Sequence, residues 1–237
     1  MNHKIIVESF NDQAIYSYIL DNYCTSKADI ETISDSLDWV DLGGLSPNAL
    51  IIKLKDIKSD IFKASTSLKI GVIIDIDEDS IEARLKLLNE ACSSAFGIEI
   101  TIEQTNDFQT FIIKDENNDN FDFKLAYCLA GLDGQGELEH ILKEIADITS
   151  SHHANCLETG WIQCLKAKEI SIDTKQLRKL WMDFYKRLDC LDAKQAKKAS
   201  DNVRWKKFLE LHGDKFDFNK NLKELNEIKS FLNQFCS

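Results

Sequence analysis

The chain has a single proline in 237 residues and no low-complexity linker, so nothing marks a sharp domain boundary. It carries no internal repeat. No apolar run approaches the roughly 18–20 residues that span a bilayer. The opening Met1-Asn2-His3-Lys4-Ile5-Ile6-Val7 breaks off at Glu8 after a short apolar run, which does not make a signal peptide. A soluble cytoplasmic protein with no membrane association is expected. The seven cysteines (24, 92, 128, 156, 164, 190 and 236) are odd in number, and no two have CxxC spacing. That argues against a zinc site or a disulfide framework and for reduced, mostly buried thiols. The GxSxG and HExxH patterns are absent, and the glycine-rich stretch 131–136 lacks the lysine of a phosphate-binding P-loop.

What is present suits a globular protein: 43% hydrophobic and 29% charged residues. The net charge of −11 is unevenly spread. Residues 151–237 hold 17 Lys and Arg against 12 Asp and Glu, a balance of +5, and residues 1–150 carry −16. The acidic part could bind cations and the basic part could face phosphates. Solvated faces are the plain alternative for most single charges.

Hydrophobic period divides the chain further. Lys4 to Glu8 reads as a short strand covered on both faces, with Asn11 or Asp12 capping the helix after it. Leu37 to Leu42 reads as a second strand, and Asn48 to about Thr66 as a helix. Leu68 to Ile76 is the strongest strand, followed by a helix from Ser80 to Phe96 that Gly97 stops. Ile98 to Ile102 and Thr110 to Lys114 are expected as short antiparallel strands. Phe123 to Leu129 is another buried strand, and Glu137 to Ile148 a helix. From Ser151 onward the pattern is almost wholly helical, ending in a helix from about Leu222 to Phe235. Strands alternating with helices predict an α/β fold: a mostly parallel sheet flanked by helices over residues 1–150, with a helical C-terminal part, 151–237, packed on it.

Acidic residues gather where the strands end. Glu8 closes the first strand. Asp75-Ile76-Asp77 closes the strongest one, with strand alternation placing both aspartates on one side. Glu137 and Glu139 open a helix after the glycine loop. The carboxyl ends of parallel strands share one edge, so these acids can converge there. Converging carboxylates repel unless a cation sits among them, and magnesium favours such hard oxygen ligands. Each part has a plain alternative: a lone DxD is common, and Glu137 and Glu139 could be helix N-terminal acids favoured by the dipole.

The ordered set resembles the Toprim domain of topoisomerases, primases and OLD-family nucleases. The Toprim first motif, a strand followed by E-G-x-x-D, is matched by Ile5-Ile6-Val7-Glu8-Ser9-Phe10-Asn11-Asp12, with Ser9 in place of glycine. Its second, a strand ending in D-x-D, is matched by Gly71-Val72-Ile73-Ile74-Asp75-Ile76-Asp77. Arg84, Gly136-Glu137-Leu138-Glu139 and Lys215-Phe216-Asp217-Phe218 are similar to one small bacterial Toprim-like family, a domain of unknown function, over nearly the whole chain. The resemblance implies a magnesium- or manganese-dependent nuclease acting on DNA or RNA phosphodiesters. Carried over, Glu8 is the proton-transfer residue and a ligand, Asp75 and Asp77 are ligands, Glu139 is a further acid and Asp12 a weaker one. It also implies an ATPase partner in defence against phage, by analogy alone. The Ser9 departure leaves a second reading open, a catalytically inactive regulatory or protein-binding module.

Lys197, Lys198, Arg204 and Lys207, with Lys194 and Lys206, cluster around Trp205. Such a basic helix could contact a nucleic-acid backbone and stack a base, or be a solvated helix with a buried tryptophan. His152 and His153 are adjacent, so on a helix they point roughly 100° apart and share one ion poorly. Trp161, Trp181 and Phe184 are expected in the core.

Overall fold

The computed structural model describes residues 3–33, 46–64, 66–198 and 203–235. It holds the α/β fold expected: a five-stranded, mostly parallel sheet flanked by helices, with a helical C-terminal part. Strands β1 (Lys4–Val7), β2 (Asp29–Thr32), β3 (Leu68–Asp75) and β5 (Asn120–Ala130) are parallel, and β4 (Gln109–Lys114) runs antiparallel to β5. Their order is β2-β1-β3-β5-β4. Helix α1 (Phe10–Tyr23) follows β1, α2 (Pro47–Lys63) follows β2, and α3 (Ile81–Phe96) follows β3.

The central strands are apolar at nearly every position because helices cover both faces. Ile6, Ile70, Val72, Ile74, Phe123, Leu125 and Tyr127 pack with α2 and α3. The alternate residues Ile5, Val7, Ile73, Ala126 and Cys128 pack with α1 and the C-terminal helices. Those are α4 (Leu138–Ile145), α5 (His152–Cys156), α6 (Ile162–Lys166), α7 (Thr174–Phe184), α8 (Ala193–Ala196), α9 (Trp205–His212) and α10 (Lys223–Asn233). Trp181, Phe208 and Phe231 from this region join the same core cluster as Ile5 of β1, so that core runs straight through residue 150. Among the described residues no helix is long and apolar enough to cross a membrane.

Several expectations need correction. The strand expected at Leu37 to Leu42 lies outside the described residues; a strand the sequence reading did not include, β2, forms at Asp29–Thr32. Ile98 to Ile102 is not a strand. Helix side chains take its backbone bonds: Asn89 Oδ1 accepts from Ile102 N at 3.0 Å, and Ser93 Oγ accepts from Ile100 N at 2.9 Å. That tethering buries Ile100 and Ile102 without a ladder partner. Ser9, rather than Asn11 or Asp12, caps α1, and Asp12 completes the capping box. Trp161 is 40% exposed, whereas Trp181 is fully buried. All six described cysteines are free; Cys92, Cys128 and Cys190 are buried, but Cys156 and Cys164 are exposed.

Close packing of the C-terminal helix on the sheet depends on Gly71. A Cβ there would lie 2.5 Å from Phe235 Cζ and 2.9 Å from Phe231 Cζ. Both rings are buried and pack edge to face on one another. Gly71→Val is therefore expected to cost roughly 1–3 kcal/mol through overpacking. A urea titration checks this, and an unchanged midpoint would contradict it.

Candidate metal centre

All carboxyl ends of the parallel strands lie on one rim. The register pairs Val7 with Ile73 and Asp75 with Ala130. The chain direction across the sheet reverses between β1 and β3, and such a switch point opens a crevice at the strand ends. Glu8 leaves β1 and Asp75 closes β3 at this crevice. Glu8 Oε1 accepts a hydrogen bond from the Asp75 backbone N–H at 2.9 Å. Asp75 Oδ1 accepts from the backbone N–H of Leu138, the first residue of α4, at 3.0 Å. The dipole of that short helix also favours the charge.

Asp77 arrives by a different route from the alternation expected. The strand stops at Asp75, and Asp77 has φ 57°, in the left-handed region. Its N–H donates to the Gly136 carbonyl at 2.7 Å, and Gly136 N–H donates back at 2.8 Å. Gly136 has φ 84°, and a Cβ on it would sit 1.8 Å from His140 Nδ1. Only glycine fits there. His140 Nδ1 accepts from Glu137 N–H at 3.1 Å and so fixes the start of α4. The glycine loop thus folds Glu137 back against the DxD aspartates. Carboxylate oxygens of Asp75, Asp77 and Glu137 all lie within 4.8 Å of one another. Oxygens on opposite sides of one magnesium are about 4 Å apart, so small side-chain rotations close the set around an ion. The donors are all hard oxygens, which fits magnesium or manganese.

Two halves of this cluster differ in charge balance. Asp77 accepts from Arg84 at 2.5 Å and from Lys175 at 2.6 Å. Arg84 is itself anchored by its Nε–H to the Ile76 carbonyl at 3.1 Å. Burial pushes the Asp77 carboxyl up, but Lys175 and Arg84 outweigh it and hold the group below its ordinary value. Lys175 also touches Glu137 at 2.6 Å, and Lys179 reaches Glu137 at 3.3 Å. The Glu137 side chain is only 5% exposed, and among the described residues no donor reaches its Oε2.

Among the described residues, no cation forms an ion pair with the other half. Burial pushes Glu8 up to about 7; the charge of Asp77 adds to this, against the Asp75 N–H and the more distant Arg84. Asp12 is likewise pushed up to about 7 by burial, with Glu139 and Glu8 adding repulsion against its Ser9 hydrogen bonds. Asp75 stands well above its ordinary value through burial and the charges of Asp12, Glu8 and Glu139. Glu139, in the first turn of α4, is raised by burial and by Glu137. Tyr16 of α1 is buried beside them, and its phenol is pushed well above its ordinary value by burial and then by Asp75.

Glu8, Asp75, Asp77 and Glu139 therefore share this rim. Lys175 and Lys179 were not singled out in the sequence, and only their place on α7 brings them here. The basic stretch is different: Lys197, Lys198, Arg204 and Lys207 are exposed, with Lys207 paired to Glu210 at 3.0 Å. Trp205 is 4% exposed and packs edge-on against Phe208, so it is a core residue and no stacking platform. His152 and His153 are exposed at the start of α5, whose N–H groups at His153 and Ala154 are capped by Asp189.

A family model described as "Protein of unknown function (DUF3226)" matches residues 2–237. No curated protein and no solved structure matches the chain.

Carboxyls held above their ordinary values set the pH dependence of folding. Glu8 and Asp12 keep protons in the folded chain that the unfolded chain has released, so stability falls as pH rises from about 4.5 to 7. Asp77 and Glu31, held low, act in the opposite sense below that window. In EDTA, raising the pH from 5 to 8 is expected to cost roughly 5 kcal/mol from these two groups together, measured by urea unfolding. Manganese should flatten the slope. A flat profile in EDTA would contradict this charge assignment.

Proposed function

The chain belongs to the DUF3226 family, and we propose that it is a Toprim-like nuclease that uses magnesium or manganese to cleave DNA or RNA phosphodiesters. The observation that carries this reading is the meeting of Glu8, Asp75 and Asp77 at the switch point of one parallel sheet. Bound divalent ions would supply charge neutralisation at the scissile phosphate and activation of the attacking oxygen. The protein's own groups divide the remaining work. Asp75, Asp77 and Glu137 provide the oxygen ligands. Glu8 has Oε1 tied to the Asp75 amide, which leaves Oε2 for proton transfer. Its carboxyl, pushed up to about 7, can hold or release a proton near neutral pH. Glu139 adds a further acid, and Arg84 fixes Asp77 in place.

The −16 charge of residues 1–150 repels a polyanion, so approach is guided by exposed cations such as Lys197, Lys198, Arg204 and Lys207. An ATPase partner in phage defence belongs to this reading by analogy of fold alone. The Lys175 bridge to Asp77 and Glu137 favours one other reading, a protein-binding module whose acids are satisfied internally.

Glu8→Gln should fold normally and bind manganese within a few-fold of the parent, yet cut at least about 100-fold more slowly. Asp75→Asn with Asp77→Asn should abolish manganese binding measured by calorimetry. A folded parent that binds manganese but cuts neither DNA nor RNA, alone or with an ATPase partner, would leave the module reading in place.

A further inference from the structure

We propose that Lys175 is an internal stand-in for a divalent ion, and that the Asp75–Asp77–Glu137 pocket loads its ion by exchanging out the Lys175 ammonium. This rests on the metal-dependent reading above and adds how the site is held in its ion-free state. The juxtaposition is specific. Lys175 Nζ sits 2.6 Å from Asp77 Oδ1 and 2.6 Å from Glu137 Oε1. Those two carboxylates, with Asp75, are the three whose oxygens crowd within 4.8 Å. An ammonium and a divalent ion cannot share these oxygens, because like charges a few ångströms apart repel strongly outside bulk water.

An independent observation marks the position as built for more than an ammonium. Glu137 Oε2 is buried and receives no donor among the described residues. An unsatisfied buried carboxylate oxygen is costly, and such orphans call for a missing partner. Lys175 engages Oε1 and leaves Oε2 unused, whereas a divalent ion can take both oxygens of one carboxylate or draw in water to serve the second.

The two cations on Asp77 differ in how readily they can leave. Arg84 is 8% exposed at its side chain and bonded to the Ile76 carbonyl. Lys175 is 33% exposed, on the first turn of α7, with a flexible stem that can swing to solvent while the helix stays put. Lys179, one turn along and 52% exposed, also reaches Glu137. Charge permits the swap: Arg84 and Lys179 stay beside Asp77 and Glu137, and a divalent ion in place of Lys175 brings a second positive charge to the pocket, which offsets ionisation of Asp75.

The test is manganese titration of the full chain by calorimetry, for the parent, Lys175→Met and Lys175→Gln. Loss of the competing ammonium should tighten manganese binding on the order of 10- to 100-fold. In EDTA both variants should melt below the parent, and manganese should raise their melting temperature more than it raises the parent's. Lys175→Gln keeps a hydrogen-bonding group against Glu137, so it reports even if Lys175→Met does not fold. A parent that binds manganese, with variants that bind it equally or more weakly, would overturn the exchange and leave the metal reading standing. If neither parent nor variants bind manganese, the metal reading falls and the exchange with it.

Discussion

Negative charge crowded at the edge of a parallel sheet is the constraint on which the rest of this structure turns. Burial and neighbouring carboxylates raise the cost of ionising Glu8, Asp12, Asp75 and Glu139, and among the described residues no lysine or arginine lies in hydrogen-bonding contact with any of them. Asp77 and Glu137, a few ångströms away, are paired with Arg84, Lys175 and Lys179. Asp75 belongs to both groups. A fold that wanted only stability would place such groups in water. The proposed metal site accounts for why they are kept together against repulsion.

The scaffold holds that crowding in place by several independent devices. Parallel register fixes where β1 and β3 end. The Asp75 amide and the first turn of α4 point N–H groups at Glu8 and Asp75. The glycine loop pins Asp77 in a left-handed conformation that few residues adopt without support. From the far end of the sequence, α7 lays Lys175 on Asp77 across 98 residues. The C-terminal helices thus share the sheet's core and also supply part of the site's charge balance.

Much of this was legible in the sequence, and the gaps have physical causes. Unbroken β-branched runs marked β1 and β3, and their terminal acids stood out because charge is rare at the end of a buried strand. β2 was missed because Asp29-Ile30-Glu31-Thr32 is short and half charged, as an edge strand tolerates; its Glu31 is held by Lys4 and Lys53. Ile98 to Ile102 alternates like a strand, yet Asn89 and Ser93 of the preceding helix take its backbone bonds, a side-chain pairing that periodicity does not encode. Trp161 lies in a helical pattern but faces outward, because the π-helical turn Leu157–Trp161 shifts the phase of the stripe. Ser9 stands where the Toprim pattern that the sequence resembles has glycine, and it has a local task as the cap of α1. Lys175 carried no signal at all: one lysine among many on a basic helix becomes informative only once tertiary packing sets it on two carboxylates.

The most direct test of the central claim is crystallographic. A crystal soaked in manganese and measured at the manganese absorption edge should show an anomalous peak among Asp75, Asp77 and Glu137, beside Glu8, with the Lys175 side chain turned away. Ordered carboxylates with no such peak at saturating manganese, and Lys175 still bridging Asp77 and Glu137, would contradict the account.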